Sequence, residues 1–197
     1  MTLILVRHGE SRGNIQGIIT GSLDLDLTDL GREQARLVGQ RLADQPVAAL
    51  YASTRIRASN TAAAIGTHHN LEPTLIEGLD EYRYGEAEGL TWAELAERFP
   101  EAIKNWGHGT VPGEEGRTLF RTRVGAAIDQ LAERHTDDLA VVACHGGTIL
   151  HILAHVMQLP AHSAPRTRIG NCSITTIEHA NGRTEITLVN DVCHLQD

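Results

Sequence analysis

Two histidines follow apolar runs that are typical of buried strands, and each is followed by glycine. His8 comes after "LILVR" and precedes Gly9, while His145 comes after "AVVAC" and precedes Gly146 and Gly147. Ligand sites in open α/β sheets gather at the carboxyl ends of the strands, and glycine lets a substrate approach the backbone closely. One histidine in this context is usually an ordinary strand-end residue, whereas two of them favour a reactive site.

Two arginines and an acid could complete such a site around a phosphate group. Arg7 adjoins the first histidine, and Arg57 lies at the start of the helix predicted after the second strand. A guanidinium group forms paired hydrogen bonds to phosphate oxygens, and a helix N-terminus adds partial positive charge. Glu81 lies in the stretch "GLDEYRYGEAEGL", ahead of Glu86 and Glu88. An acid beside a phosphate-binding cluster could protonate a leaving alkoxide.

The apolar pattern predicts strands that alternate with helices along the chain. Strands are predicted at "TLILVR", "VAALYAS", "EPTLIEG" and "DDLAVVACHGG", and helices at about 28–45 (with Thr28 as N-cap), 54–69, 119–134 and 148–158. The stretches "CSITTIEHA" and "RTEITLVN", joined by Asn-Gly, predict a hairpin near the C-terminus. We therefore expect an α/β fold, a three-layer sandwich with a mainly parallel central sheet flanked by helices and a late antiparallel hairpin.

The chain is expected to form a single domain, residues 1–197, because no repeat, linker or change of composition divides it. Residues 78–117 interrupt the alternation and are irregular, with helical pieces near 91–99 and 100–106. Long irregular connections are often functional, so this segment is predicted to form a lid that sets specificity. Its side chains could accommodate an apolar or aromatic phosphoester; they are Tyr82, Tyr84, Trp92, Phe99, Trp106, His108 and Val111.

Composition excludes several classes of function. The formal net charge of -8 argues against non-specific binding to nucleic acid or to an acidic membrane, although a local cluster of arginine and histidine can still hold a small anion. The apolar runs are too short to span a membrane, and the N-terminal run is too short for a signal peptide. We therefore expect a cytoplasmic protein.

The three cysteines are odd in number and widely spaced, which favours buried free thiols.

Five blocks, in order along nearly the whole chain, resemble the histidine phosphatase superfamily of phosphoglycerate-mutase-like proteins. The blocks are "VRHGES" with Asn14, "TGSLDLDLTDLGREQA" with Leu25 where proline is common, "YASTRIRASNTA", "LDEYRYGEAEGL" and "VVACHGGTI". A bare Arg-His-Gly is a weak signal, whereas five ordered blocks are a specific one. Alignment of the third block places the second arginine of the family at Arg57 rather than at Arg55.

The resemblance implies a two-step phosphoryl transfer. His8 would attack phosphorus and form a phosphohistidine, and Glu81 would protonate the leaving oxygen and then activate the hydrolytic water. The resemblance implies that Arg7, Arg57 and His145 take part in catalysis, because they would stabilise the transferring group. The substrate-binding set would be Arg7, Asn14, Thr20, Gly21, Arg57, Glu81, Tyr84, His145 and Gly146.

No metal or other cofactor is expected, because the arginines and histidines would supply the positive charge. His151 and His155 stand four residues apart on a predicted helix, a spacing that can bind zinc. They lack the HExxH pattern and an evident third ligand, so a metal site there is not predicted.

Three functions remain open at the level of sequence. The favoured one is a metal-independent phosphatase of small phosphorylated metabolites, close to the small broad-specificity phosphatases; phosphoserine and alpha-ribazole phosphatases are similar in size. The alternative is a cofactor-dependent phosphoglycerate mutase, which is disfavoured because Trp92 stands where a lysine would be expected. In the stretch 93–116, Arg98 and Lys104 are also outnumbered by five glutamates, which are Glu94, Glu97, Glu101, Glu114 and Glu115. A non-catalytic phosphate-binding protein is less favoured.

The expected partner is a small phosphorylated metabolite or inorganic phosphate, and an edge strand or the hairpin could form a homodimer.

Overall fold

The computed structural model describes residues 1–105, 109–160, 163–180 and 183–196. Six strands form one sheet in the order β3-β2-β4-β1-β5-β6. The first four strands in chain order are parallel, and β5 and β6 add an antiparallel pair beside β1. The strands are β1 (Thr2–Arg7), β2 (Val47–Ala52), β3 (Thr74–Leu75), β4 (Leu139–Cys144), β5 (Ile174–Ala180) and β6 (Arg183–Asp191).

Seven α-helices lie in the described part of the chain. They are α1 (Arg12–Gln16), α2 (Asp29–Leu42), α3 (Ile56–Gly66), α4 (Trp92–Arg98), α5 (Pro100–Lys104), α6 (Arg117–Arg134) and α7 (Gly146–Val156). Thr28 caps α2 as predicted, since its hydroxyl accepts a hydrogen bond from the Gly31 amide at 2.9 Å. Helix α7 begins two residues before the predicted Thr148, because the chain turns into the helix directly after His145.

The central strands are buried on both faces, which explains their continuous apolar sequences. In β1, Leu3 and Leu5 pack into a core that contains residues of α6 and α7. Ile4 and Val6 point into the opposite core, with residues of α2 and α3. The sheet is thus covered by helices on both sides, and the predicted α/β fold with a mainly parallel sheet and a late antiparallel pair is confirmed.

Residues 78–117 carry two short helices, α4 and α5, where helical pieces were predicted. The segment has a small core of its own with the loop after α1, formed by Ile19, Ala87, Leu95, Ala102 and Val111. Trp106 and His108 lie outside the described residues, as does the predicted Asn-Gly turn at 181–182.

Two of the three cysteines are buried, as predicted. Cys144 and Cys172 are fully buried and Cys193 is exposed, and all three are free thiols. Within the described ranges, no helix combines the length and the apolar character that a membrane crossing requires.

Candidate active site

Strand register brings the two strand-end histidines together. Arg7 pairs with Cys144 across the parallel strands β1 and β4, so the residues that follow them emerge side by side. The His8 amide donates to the Cys144 carbonyl at 2.9 Å. The two imidazole rings meet edge to face, with 5.2 Å between their centroids. The predicted meeting of His8 and His145 at one edge of the sheet is therefore a direct consequence of this register.

The backbone fixes the tautomer of His8. Its Nδ1 lies 2.7 Å from the carbonyl oxygen of Gly9, which can only accept a hydrogen bond. The proton is therefore on Nδ1, and Nε2 of the neutral ring keeps its lone pair. Burial, together with the positive charges of Arg7 and Arg57, holds the pKa of His8 well below its ordinary value. The ring is thus a neutral nitrogen nucleophile across the physiological pH range.

Two buried guanidinium groups lie beside His8. Arg7 donates to the Ile169 carbonyl at 2.6 Å. Arg57 is 1% exposed and donates to the carbonyls of Leu23 and Gly21 at 2.7 and 2.8 Å. The Nε of each arginine is buried and has no hydrogen-bond partner among the described residues. Burial lowers the pKa of both side chains, but a guanidinium starts from so high a pKa that both remain charged.

A hydrogen-bonded chain behind His145 was not predicted from the sequence. Its Nε2 lies 2.7 Å from the Ser53 hydroxyl, which donates to the Asp80 carboxylate at 2.7 Å. Since a carboxylate only accepts, Ser53 gives its one proton to Asp80 and must accept from His145 Nε2. The buried Nδ1 of His145 then has no partner in the described structure. Burial and the charge of Arg57 hold the pKa of His145 well below its ordinary value.

The register of a third strand could have suggested Ser53. This serine follows β2 directly, and its amide donates to the carbonyl of Ala143 in the neighbouring β4 at 3.0 Å. The hydroxyl therefore emerges beside the residue that follows β4. Asp80 gives no comparable sequence signal, because it reaches the site from a separate loop. It also accepts hydrogen bonds from Thr54 and from Arg55, the latter at 2.8 Å.

The start of α7 holds the carboxylate of Glu81. One oxygen accepts from the Gly147 amide and the other from the Tyr82 amide, both at 3.0 Å. An amide in the first turn of a helix has no partner within that helix, so it is available to bind an acid. A Cβ on Gly147 would lie 2.5 Å from a Glu81 oxygen, so the absence of a side chain there gives the carboxylate its place.

The amide of Asn14 is oriented by its neighbours. Its Oδ1 accepts hydrogen bonds from Ser11 and from the Asn171 side chain, the latter at 3.1 Å. This arrangement leaves the Nδ2 amino group to donate to a ligand. Asn171 also donates to the carbonyl of His8 at 3.0 Å. Sequence reasoning missed Asn171, which comes from the loop before β5.

A cavity of about 300 Å³ joins the predicted residues. With one exception, every residue predicted to form the site lines it. His145 is the exception: it is fully buried and contacts the His8 ring. The predicted residues in the wall are Arg7, His8, Asn14, Thr20, Gly21, Arg57, Glu81, Tyr84 and Gly146, and Trp92 of the lid segment joins them.

Among the described acids of the lid segment, Glu81 lines this cavity, whereas the glutamates counted in the sequence argument do not; they are Glu94, Glu97, Glu101, Glu114 and Glu115. Glu88 accepts from Ser22 and from the Tyr84 amide, and it joins two loops. Glu115 is bound by Arg123 at 2.8 Å and is nearly fully buried. Glu86 forms an exposed ion pair with Arg98. The number of acids in the lid segment is therefore not a measure of the charge in the cavity wall, where Glu81 is the one carboxylate among the described residues.

The histidine pair of α7 is divided between two environments. His155 lies 2.8 Å from Asp129, whereas the His151 ring packs against Phe120 with centroids 4.7 Å apart. Among the residues that the structure describes, no three His, Cys, Asp or Glu side chains are grouped to hold a metal ion.

Comparison with known proteins places this geometry in a family. Residues 3–192 match the histidine phosphatase superfamily (branch 1). The chain is 31% identical over 196 residues to a putative phosphoserine phosphatase 2 of Hydrogenobacter thermophilus, a match that covers 98% of this chain and 96% of that one. It is 30% identical over 183 residues to a probable phosphoglycerate mutase of Yersinia pestis, and this match covers 91% of this chain and 85% of that one.

A solved structure shares the whole fold. A phosphoserine phosphatase mutant of Entamoeba histolytica, solved in complex with phosphoserine, superposes with a TM-score of 0.85. The sequence identity is 27%, and 99% of each chain is covered. The order of the blocks, the paired histidines and the full-length match lead to one conclusion: the chain belongs to the histidine phosphatase superfamily.

Proposed function

We propose that this protein hydrolyses phosphomonoesters of small phosphorylated metabolites through a phosphohistidine on His8, without a metal ion. One observation carries the proposal. A neutral imidazole, with its Nε2 lone pair available, lines a cavity that two buried guanidinium groups also line. Such an arrangement combines a nucleophile with the positive charge that a phosphoryl group requires.

The phosphoryl group occupies the space between the buried donors. Nε of Arg7 and Nε of Arg57 lack partners in the described chain, and a buried polar atom without a partner costs about 1–3 kcal/mol. A bound phosphoryl group would remove that cost and offset the burial of two charges. Nδ1 of His145 donates once it is protonated, which the dianion favours. Asn14 Nδ2 contributes a further hydrogen bond, and the substrate-binding set is completed by Thr20, Gly21, Tyr84 and Gly146.

In the first step, the Nε2 lone pair of His8 attacks phosphorus in line with the leaving oxygen. The P–N bond forms as the P–O bond of the ester breaks, and the leaving oxygen takes a proton from Glu81. The positive charges of Arg7 and Arg57 offset the charge on the equatorial oxygens in the transition state. The alcohol then departs and leaves phosphohistidine.

In the second step, water replaces the alcohol. Glu81, now a carboxylate, accepts a proton from this water as its oxygen attacks phosphorus. The P–N bond breaks, inorganic phosphate forms and the neutral ring of His8 returns. One residue thus serves as acid and then as base, which the fixed position of its carboxylate against α7 supports.

The mutase alternative has a specific weakness. A mutase must keep water away from the phosphorylated enzyme until an acceptor hydroxyl is in place. Trp92 lines the cavity but is 55% exposed, and the three charged side chains of α4, Glu94, Glu97 and Arg98, are exposed as well. We therefore propose that water reaches the intermediate, so that hydrolysis exceeds transfer.

Residues 78–117 are proposed to act as the lid of this one catalytic unit, because Glu81, Tyr84 and Trp92 all come from this segment and line the cavity. A cytoplasmic location is proposed from the composition alone. A homodimer through the edge of the sheet stays a prediction.

The test is a panel of phosphoesters assayed in the presence of a chelator. It includes 4-nitrophenyl phosphate, phosphoserine, and 3-phosphoglycerate with and without 2,3-bisphosphoglycerate. We expect release of inorganic phosphate, with formation of 2-phosphoglycerate negligible by comparison. Isomerisation at a rate comparable to the best hydrolysis would favour the mutase, and binding of phosphate without turnover of any ester would favour a non-catalytic protein.

A further inference from the structure

A second cavity of about 440 Å³ opens beside the catalytic one. The two share Tyr84, Gly147 and Leu150 in their walls, so they are adjacent parts of one groove. The second cavity lies between the start of α6, one side of α7 and the loop that follows α7. A substrate whose phosphoryl group lies against His8 can therefore extend its leaving group into this space.

The wall of the second cavity is cationic and aromatic. Arg117, in the first turn of α6, and Arg166, in the loop after α7, both line it. Tyr82 and Phe120 contribute rings that pack edge to face, with centroids 5.2 Å apart. An aromatic wall with two guanidinium groups suits an organic body that ends in an anionic group.

His151 adds a buried polar atom to this wall. Its Nδ1 has no hydrogen-bond partner within the described ranges. Burial, and then the charges of Arg117 and Arg121, lower the pKa of His151 to about 4, so the ring is neutral at physiological pH. A neutral imidazole nitrogen in a cavity is a hydrogen-bonding group that a polar ligand can satisfy.

Glu114 and Glu115, in the loop before α6, are each held by a neighbouring side chain. Glu115 is bound by Arg123, and Glu114 accepts the Tyr82 hydroxyl proton at 2.6 Å. Arg121 donates to the carbonyls of Ala154 and Pro160 and keeps its positive charge in the same region. The wall of the second cavity thus contains two guanidinium groups and, among the described residues, no carboxylate, in a chain of formal net charge -8.

We propose that this cavity binds the leaving group of the substrate, and that the leaving group carries a second anionic group, a carboxylate or a phosphate, held by Arg117 and Arg166. The inference rests on the proposed function, since it assigns the substrate class of the same site. It extends the expectation that an apolar or aromatic phosphoester could be accommodated: the aromatic wall contacts the body of the leaving group, and the two arginines select its charged end.

The experiment uses matched esters that differ only at the far end of the leaving group. At each of three chain lengths, the n-alkyl phosphate is compared with its ω-carboxylate and its ω-phosphate. We expect kcat/KM for one anionic member to exceed that of its alkyl partner by about tenfold or more at the length that reaches the arginines. The R117Q and R166Q variants should each lose about tenfold on that ester and stay within about twofold on the alkyl phosphate.

A charge-matched control separates binding by the two arginines from the effect of the electrostatic field of the whole protein. Arg36 pairs with Glu33 on the exposed face of α2, so R36Q removes the same charge away from both cavities. It should leave the preference for the anionic ester unchanged. Equal losses in R36Q, R117Q and R166Q would overturn the inference.

The substrate series on the wild-type enzyme gives a result that does not depend on the folding of any variant. Turnover of all esters without preference for an anionic end at any length would overturn the inference and leave the proposed phosphatase intact. Failure to hydrolyse any ester, including 4-nitrophenyl phosphate, would overturn the proposed function and the inference with it.

Discussion

Replacement of Gly147 by alanine is expected to impair acid catalysis specifically, because this glycine makes room for Glu81. The new Cβ would lie 2.5 Å from Oε1 and 3.1 Å from Cδ of the glutamate. Ordinary contacts begin near 3.4 Å, so the carboxylate must move by about 1 Å. The movement also strains the hydrogen bond from the Gly147 amide to Oε2.

The expected size of the effect follows from the role of the carboxylate. A displacement of about 1 Å in a positioned group can cost about a hundredfold in rate, and general acid catalysis contributes about 10² to 10⁴ in total. We therefore expect Gly147→Ala to slow the hydrolysis of an alkyl phosphate about a hundredfold. The loss on 4-nitrophenyl phosphate should be no more than a few fold, because nitrophenolate leaves without a proton.

The assay is a double-mutant cycle with Glu81→Gln on both esters. If the alanine acts by displacing the acid, the double variant should be no slower on the alkyl ester than Glu81→Gln alone. Gly146→Ala is the comparison within the same helical turn. Its Cβ would lie at an ordinary 3.6 Å from Arg7 Nε, so the leaving-group dependence should not change. Additive losses in the cycle, or equal losses on both esters, would refute the reasoning.

Three further predictions concern the buried polar groups. Asp80→Asn should leave Ser53 with a weaker acceptor, so His145 is harder to protonate in the substrate complex. The alkaline limb of the kcat profile, which reports that complex, should then move to lower pH; an unshifted limb would argue for a purely structural role. Arg57→Lys should raise KM and lower kcat, so that kcat/KM falls by about tenfold or more. The reason is that a single ammonium group cannot bind the carbonyls of Leu23 and Gly21 as the guanidinium group does. The pKa values of His8 and His145 are depressed in the fold, so the unfolded chain binds more protons below about pH 6.5. The free energy of unfolding should then fall with decreasing pH by up to about 1.4 kcal/mol per unit for each ring, and His8→Gln should reduce that slope in chemical denaturation.

The histidines of the site could be predicted from the sequence itself because strand ends locate them, whereas the roles of Asn14, Thr20 and Gly21 were implied only by the resemblance to a family. A buried strand has a continuous apolar run, and the polar residue that ends it is easily recognised. Parallel neighbours then bring His8 and His145 to one edge of the sheet. The same reasoning could have been extended to Ser53, which ends β2 beside them.

The remaining features depend on packing between distant parts of the chain. Asp80 and Asn171 orient the site from loops, and nothing in their local sequence shows which side chains they contact. Arg117 belongs to α6 and Arg166 to a loop, and these two elements meet only in the folded protein. A count of charges in the lid cannot describe the cavity wall for the same reason, since the Glu115 side chain is buried against Arg123.

The central claim is that His8 carries the phosphoryl group, and the most direct test is to trap it. Enzyme mixed briefly with a phosphate-labelled ester is denatured in alkaline detergent, in which phosphohistidine survives, and the labelled peptide is identified. His68, which is exposed just after the end of α3, provides the matched control as His68→Ala. We predict acid-labile, base-stable label on His8 in the wild type and in His68→Ala, and none in a folded His8→Ala variant. Label that persists in His8→Ala, or label that maps to another residue, would contradict the account.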